Sequence, residues 1–351
     1  MPDILDTIAD AVRARHDAHE ASRQKITELR THIVELLADI VTLEDQNAAM
    51  QAIIDATPAP LPTPGEYVPT VDLVGHTTPQ DELERIDGTY RVTEGGVIAG
   101  KWFTGKIERR TNEPVLFVDC LFTVDDVHSQ VVLWDGNTAV FTFEDCTFRP
   151  NGDGIANAIT GHHYTTRRCH ILDVSDGLGI YWNDATKRDG DMAVLDEASI
   201  IGPLSFTNRD PNKPEGTHND CLQLQGGHGV EVNGSLYIAT KIAKGDAIDP
   251  DLNPYWPDLT ANAAIMVSPN VGKCGITIRN LTIEGGAAGI NIVDNKDGTP
   301  VDVVIENTLH DYDGVSTRTG KDIIMHRATF GAATVSGAVK ADGSPAVIKR
   351  G

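Results

Sequence analysis

The heptapeptide Thr217-His218-Asn219-Asp220-Cys221-Leu222-Gln223 carries the residue types of acid–base chemistry at strand spacing. On an extended strand His218 and Asp220 share a face, and a turn before Gln223 would bring all three to one groove. There His218 could shuttle a proton, Asp220 could act as the acid or orient the imidazole, and Gln223 could read sugar hydroxyls. The same residues could instead form an internal hydrogen-bond network that closes one coil of the fold. Two more acids, Asp153 and Asp176, also open short apolar strands, each just before a glycine. With repeats in register, Asp153, Asp176 and Asp220 would share one flank in neighbouring coils. Carboxylates about 5–10 Å apart serve as acid and base, or acid and nucleophile, in glycoside hydrolysis, and their proximity raises one pKa. Asp before Gly is equally a favoured turn residue that caps its own backbone.

Other residues could bind rather than react. Gln223 and Gln225 lie on one apolar strand and Tyr181 and Trp182 on an equivalent one. Tyr255 and Trp256 sit in an insertion that begins at Asp246, where a sugar ring could stack on them. Asp249, Asp251 and Asn253 imitate the start of a calcium loop, but the required Gly and closing Glu are missing. His162 and His163 are adjacent between strands, where neighbouring side chains point in different directions and would not share a metal. No metal and no cofactor is expected.

These residues depend on a repeated scaffold. The phrase Asp119-Cys120-Leu121-Phe122 returns as Asp145-Cys146-Thr147-Phe148 and Arg168-Cys169-His170-Ile171, at intervals of 26 and 23 residues. Looser echoes follow at Glu197-Ala198-Ser199-Ile200, Asn280-Leu281-Thr282-Ile283 and Arg327-Ala328-Thr329-Phe330. A second recurrent strand appears at 131–134, 179–183, 221–225, 264–267 and 289–293. Two or three short strands per period, separated by Gly, Asn and Asp turns, predict a mainly β chain folded as a right-handed parallel β-helix of eight to ten coils. Antiparallel hairpin spacing and alternating helices, the marks of a sandwich or a doubly wound sheet, are missing. Three of the five cysteines occupy one repeat position, which reads as small apolar residues stacked rung on rung rather than as disulfides or zinc ligands.

The N-terminal segment follows a different period. Leu5, Val12, His19, Ile26, Ile33, Ile40, Asn47 and Ile54 take heptad position a, with Ile8, Arg15, Ser22, Leu29, Leu36, Leu43 and Met50 at d. Eight heptads in phase predict a coiled coil. Such a seam needs partner helices, so an oligomer is expected, with Ile26, Leu29, Ile33, Leu36, Ile40, Leu43, Asn47, Met50 and Ile54 as its contacts. Ile at a with Leu at d favours two helices; Ala9, Ala11, Ala18, Leu37 and Ile53 at e and g widen the stripe and favour three. The trimer is the expectation carried forward. The predicted organisation is a coiled-coil stalk at 1–56, a Pro-rich neck at 57–70, a cap at 71–100, the β-helix at 101–337 and a C-terminal tail at 338–351.

A net charge of -22 argues against nucleic acid and anionic lipid as partners. No apolar run approaches the roughly 20 residues of a membrane-spanning helix. The start, Met1-Pro2-Asp3-Ile4-Leu5-Asp6, lacks the form of a secretory signal, so a role outside the cell would call for another route.

Together the heptads, the proline neck and a β-helix containing residues 217–223 resemble the pectate-lyase-like tail proteins of bacteriophages, above all minor tail proteins of phages of actinobacteria and, more broadly, trimeric tailspikes. The likeness in architecture covers nearly the whole chain; the specific motif is confined to residues 217–234. The resemblance implies a virion component, a homotrimer, attachment to other tail proteins through the stalk, and contact with a host surface polysaccharide. Asn219-Asp220-Cys221-Leu222 is also similar to the Asp-Asp-Cys-Ile stretch of polygalacturonases, with Asn219 in place of the first acid. Gly227-His228-Gly229 follows within the same coil rather than on a later one, and Ile278-Arg279-Asn280 is the nearest approach to that family's Arg-Ile-Lys. The expected role is therefore host attachment without catalysis. The alternative is a tailspike depolymerase, a hydrolase or lyase using Asp220 and His218 with Asp176 or Asp153. A purely architectural spacer is the third reading.

Overall fold

The computed structural model describes Lys25 and residues 68–124, 129–133, 137–151, 157–181, 190–206, 219–243, 261–269, 272–311, 322–325 and 333–350. The heptad contacts Ile26, Leu29, Ile33, Leu36, Ile40, Leu43, Asn47, Met50 and Ile54 lie outside these residues, as do the echo at 327–330 and the proline stretch.

From residue 84 onward the chain winds through three parallel sheets, one strand to each sheet per coil. Among the described residues the first sheet has ten strands, the second ten and the third nine, with a separate two-stranded pair beside them. One coil runs Leu121–Phe122, Ser129–Leu133, Phe141–Glu144. The next coil lies in register on it, pairing Thr147 with Leu121, Ile159 with Val131 and Tyr164 with Phe141. This arrangement fits a parallel β-helix. The described strands of the repeated phrase fall in the first sheet, and the five strands of the second series fall in the second sheet.

The phrase begins at a corner. Asp119, Asp145, Arg168, Ala198, Asn280 and Asn307 all have φ between 49° and 55°, the left-handed conformation, at the one-residue bend from the third sheet to the first. Short polar side chains tolerate that conformation best because they can bond locally. Asp119 Oδ1 accepts the Thr77 amide at 2.5 Å. Arg168 Nε donates to Asp145 Oδ1 at 2.8 Å, and Asn280 Nδ2 donates to Asn233 Oδ1 at 2.8 Å. The residue after the bend turns inward, so Cys120, Cys146 and Cys169 are fully buried. Their thiols reach carbonyls of the preceding coil, Cys169 Sγ lying 3.3 Å from Phe143 O. Two residues further on, Phe122 and Phe148 stack at 4.4 Å between centroids and 5° between planes, with Phe103 beneath at 5.1 Å from Phe122. All five cysteines are free thiols inside the core.

Both ends differ from the sequence expectation. Residues 71–100, read as a cap, contain a 3-10 turn at Val71–Leu73 and the three strands of a first coil, Glu84–Ile86, Tyr90–Val92 and Gly96–Ala99. The segment preceding them lies along the first sheet, where Val74 packs on Ile200, Leu236 and Ile238 and the His76 amide donates to Thr147 Oγ1 at 3.1 Å. Residues 338–351, read as a tail, add two more rungs: Val339–Lys340 pairs with Leu309–Asp311, and Ile348–Arg350 with Ile323–Met325. Their polar composition suits an end coil with less to bury.

Candidate functional site

The acidic flank lies where the chain enters the second sheet. Leu178 pairs with Leu222, which sets Asp176 level with Asp220 one coil later. Ile159 pairs with Leu178, so the position level with Asp176 one coil earlier is Asn157, and before it Ser129. Asp153 itself lies outside the described residues, as do His218, Trp182, Tyr255 and Trp256. The expected three-acid row is replaced by Ser129, Asn157, Asp176, Asp220 and Ala263, because loops of unequal length precede these strands.

The two described acids hold backbone. Asp176 Oδ1 accepts the Asp220 amide at 3.0 Å. Asp220 Oδ1 accepts the Ala263 amide at 3.0 Å and Asn262 Nδ2 at 3.1 Å. Each carboxylate thus fastens the strand start of the following coil, and Asp220 is only 2 % exposed. Asn219 is fully buried beside it, its Nδ2 donating to Ser175 O at 2.7 Å and to Ser205 O. These bonds are those of a network that closes one coil on the next. Gln223 is half-buried and accepts from Gln225 Nε2 at 3.1 Å. Tyr181 is half-buried as well; burial pushes its phenol up to about 12, opposed by a hydrogen bond with Thr160. The rung above and below Gln223 is occupied by Met266 and Gly179.

Compared with known protein families, curated proteins and solved structures, this chain matches none.

Two polar clusters centre on Asp196 and Arg109, neither of which the sequence singles out. Asp196 is fully buried in the core, accepting Thr166 Oγ1 at 2.7 Å and the Tyr237 hydroxyl at 2.8 Å. Burial raises its pKa, and hydrogen bonds from Thr166, Ser235, Tyr237 and Ser199 oppose the rise. The Tyr164 ring is also in this core, and its hydroxyl finds no hydrogen-bond partner among the described residues. A signal was present: in Asp191–Glu197 the inward positions are Met192, Val194 and Asp196, so the alternation itself points the acid inside. The second cluster is the buried Arg109, whose guanidinium donates to Ala139 O at 2.8 Å and Leu133 O at 2.6 Å, and to His162 O at 3.2 Å. Next to it the His162 and His163 Nδ1 atoms approach to 2.8 Å, contrary to the expectation that the two rings diverge. His163 is left-handed at φ 58°, which breaks the strand alternation on which that expectation rested. Burial and the nearby Arg109 both lower the His163 pKa. Among the described residues no three His, Cys, Asp or Glu side chains gather as a metal site.

Proposed function

We propose that this chain is a non-catalytic structural component of a phage tail, a trimeric minor tail protein or tail fibre that contacts host cell-surface glycan. In this reading residues 1–56 form the coiled-coil stalk and attach to other tail proteins, 57–70 are the neck, and the right-handed, pectate-lyase-like β-helix meets the cell. The observation that carries the non-catalytic part is the use of Asp176 and Asp220. An acid–base pair needs carboxylates directed at a substrate bond, whereas these two accept backbone amides of adjoining strands. The heptad register and the parallel coils support the rest by the resemblance stated above; β-helices serve many functions, so fold alone does not choose among them.

The test is competition and turnover on the same sample. Purified full-length chain is expected to sediment at the mass of three chains and to slow adsorption of its phage to susceptible cells. It should release no reducing ends or unsaturated sugars from the isolated envelope polysaccharide. New ends that vanish in Asp220→Asn would replace this reading with the depolymerase; failure to compete at any concentration would leave the architectural spacer.

A further inference from the structure

The outward face of the third sheet is interrupted at two successive rungs. Asp191 pairs with His228 and Val194 with Val230, so Asp191–Glu197 carries one residue more than its neighbour. Gly227 pairs with Cys274 and Val230 with Ile276, so the neighbour in turn carries one more than Cys274–Arg279. The next pairing, with Val301–Glu306, is regular. Consecutive bulges of this kind bend a strand and re-aim its side chains, and they are enriched beside functional sites. Here Ala193 at φ 43° and Gly229 at φ 74° form the bends. The left-handed φ of Gly229 disfavours a side chain there, and a Cβ, 2.0 Å from Asp191 Oδ1, would displace that carboxylate.

The bulges open a groove of about 460 Å³, within the roughly 300–1,000 Å³ of small-ligand sites. Leu195, Thr277 and Val304 line it with apolar surface, and His228, Lys273 and Asp302 add polar groups. Gly275 lies between the flanks: a Cβ built on it would sit 3.5 Å from the Asp302 Cβ and 3.7 Å from the His228 Cβ. The lining joins an ammonium, an imidazole and carboxylates to an aliphatic surface. Side-by-side donors and acceptors suit hydroxyls, which do both. They do not suit a polyanion, which the net charge of -22 also repels.

We infer that this groove binds a neutral oligosaccharide, with the C–H face of a sugar on Leu195 and Val304 and its hydroxyls on His228, Lys273 and Asp302. The inference rests on the glycan-contact reading above and moves the contact from the second sheet, where Asp220 and Gln223 lie, to the third.

The experiment uses full-length wild-type chain, Gly275→Leu and Lys273→Ala on an array of mannan, galactan, rhamnan and glucan oligosaccharides printed beside uronate oligosaccharides, with whole-cell adsorption in parallel. Gly275 does not need a left-handed φ, so leucine is compatible with its backbone conformation, while its Cβ would press on the Asp302 carbonyl oxygen at 3.3 Å. Expected are binding to neutral spots, a loss of about tenfold or more in Gly275→Leu, and a smaller loss in Lys273→Ala with an unchanged melting temperature. If Gly275→Leu does not fold, Lys273→Ala and His228→Ala decide. Wild-type binding retained in the variants overturns the groove but leaves glycan contact standing. Binding confined to uronate spots overturns the neutral ligand. Adsorption to cells with no array binding overturns the glycan as occupant, and loss of both overturns this inference together with the proposed function.

Discussion

The second and third sheets carry similar polar residues on opposite terms. At the entry to the second sheet, Asp176 and Asp220 accept backbone amides of the next coil and Asn219 Nδ2 donates to a carbonyl of an adjoining one. On the third sheet, His228 and Lys273 border an open groove over a glycine. The contrast shows that residue type is a poor guide to function in a stacked fold. A carboxylate at a coil junction is needed to satisfy strand starts that would otherwise be buried without partners, whereas a bulge frees side chains from that duty.

The largest expected effect comes from the spent side. Asp220→Ala leaves the Ala263 amide and Asn262 Nδ2 without their acceptor, and the loss should be on the order of 4 kcal/mol in urea unfolding, with Asp220→Asn milder. A variant that unfolds like wild type would break the comparison.

His310 offers the next test. It is fully buried with Thr308 Oγ1 3.1 Å from Nε2, and burial lowers its pKa to about 4, against an opposing pull from Asp322. The unfolded chain protonates this ring near pH 6.5, so between about 6.5 and 4 the unfolded state binds more protons. Stability is then complete above about pH 6.5 and falls as the pH drops, by about 3 kcal/mol at pH 4. His310→Gln should flatten that limb of a stability–pH curve; an unchanged limb would assign it elsewhere.

A smaller effect should have the opposite sign. Tyr164→Phe removes a buried hydroxyl that has no partner among the described residues, so stability should stay level or rise by up to about 1 kcal/mol. A marked loss would mean that the hydroxyl helps hold Asp196. Last, Lys273→Ala on the exposed rim should change stability by less than about 0.5 kcal/mol while weakening glycan binding. A large change in melting would place Lys273 with the scaffold and erase the distinction between the two sheets.

Much of the scaffold could be read from the chain. The phrase around Cys120, Cys146 and Cys169 marked a true period because each coil needs the same left-handed corner followed by the same inward residue. The strands containing Leu133, Ile180, Leu222, Ile265 and Ile290 were correctly grouped, since a strand buried under rungs above and below must be apolar whatever loop precedes it. The level of each acid was harder to see. Asp153 and Asp176 look equivalent by their following glycines, yet register sets Asn157 opposite Asp176. The end coils were missed because their rungs have little to cover and so lose the apolar signature that announced the others.

Taken alone, the sequence determined the repeat, the parallel coiled build and the burial of the cysteines, because these follow from local turn chemistry and apolar spacing repeated many times. Tertiary structure decided which polar groups are consumed. Whether Asp220 meets a substrate or the Ala263 amide depends on a residue 43 positions away. Whether His228 and Lys273 border a groove depends on an extra residue in each of two stacked strands. Both are matters of register between coils, set by the packing of neighbouring rungs and invisible along a single strand.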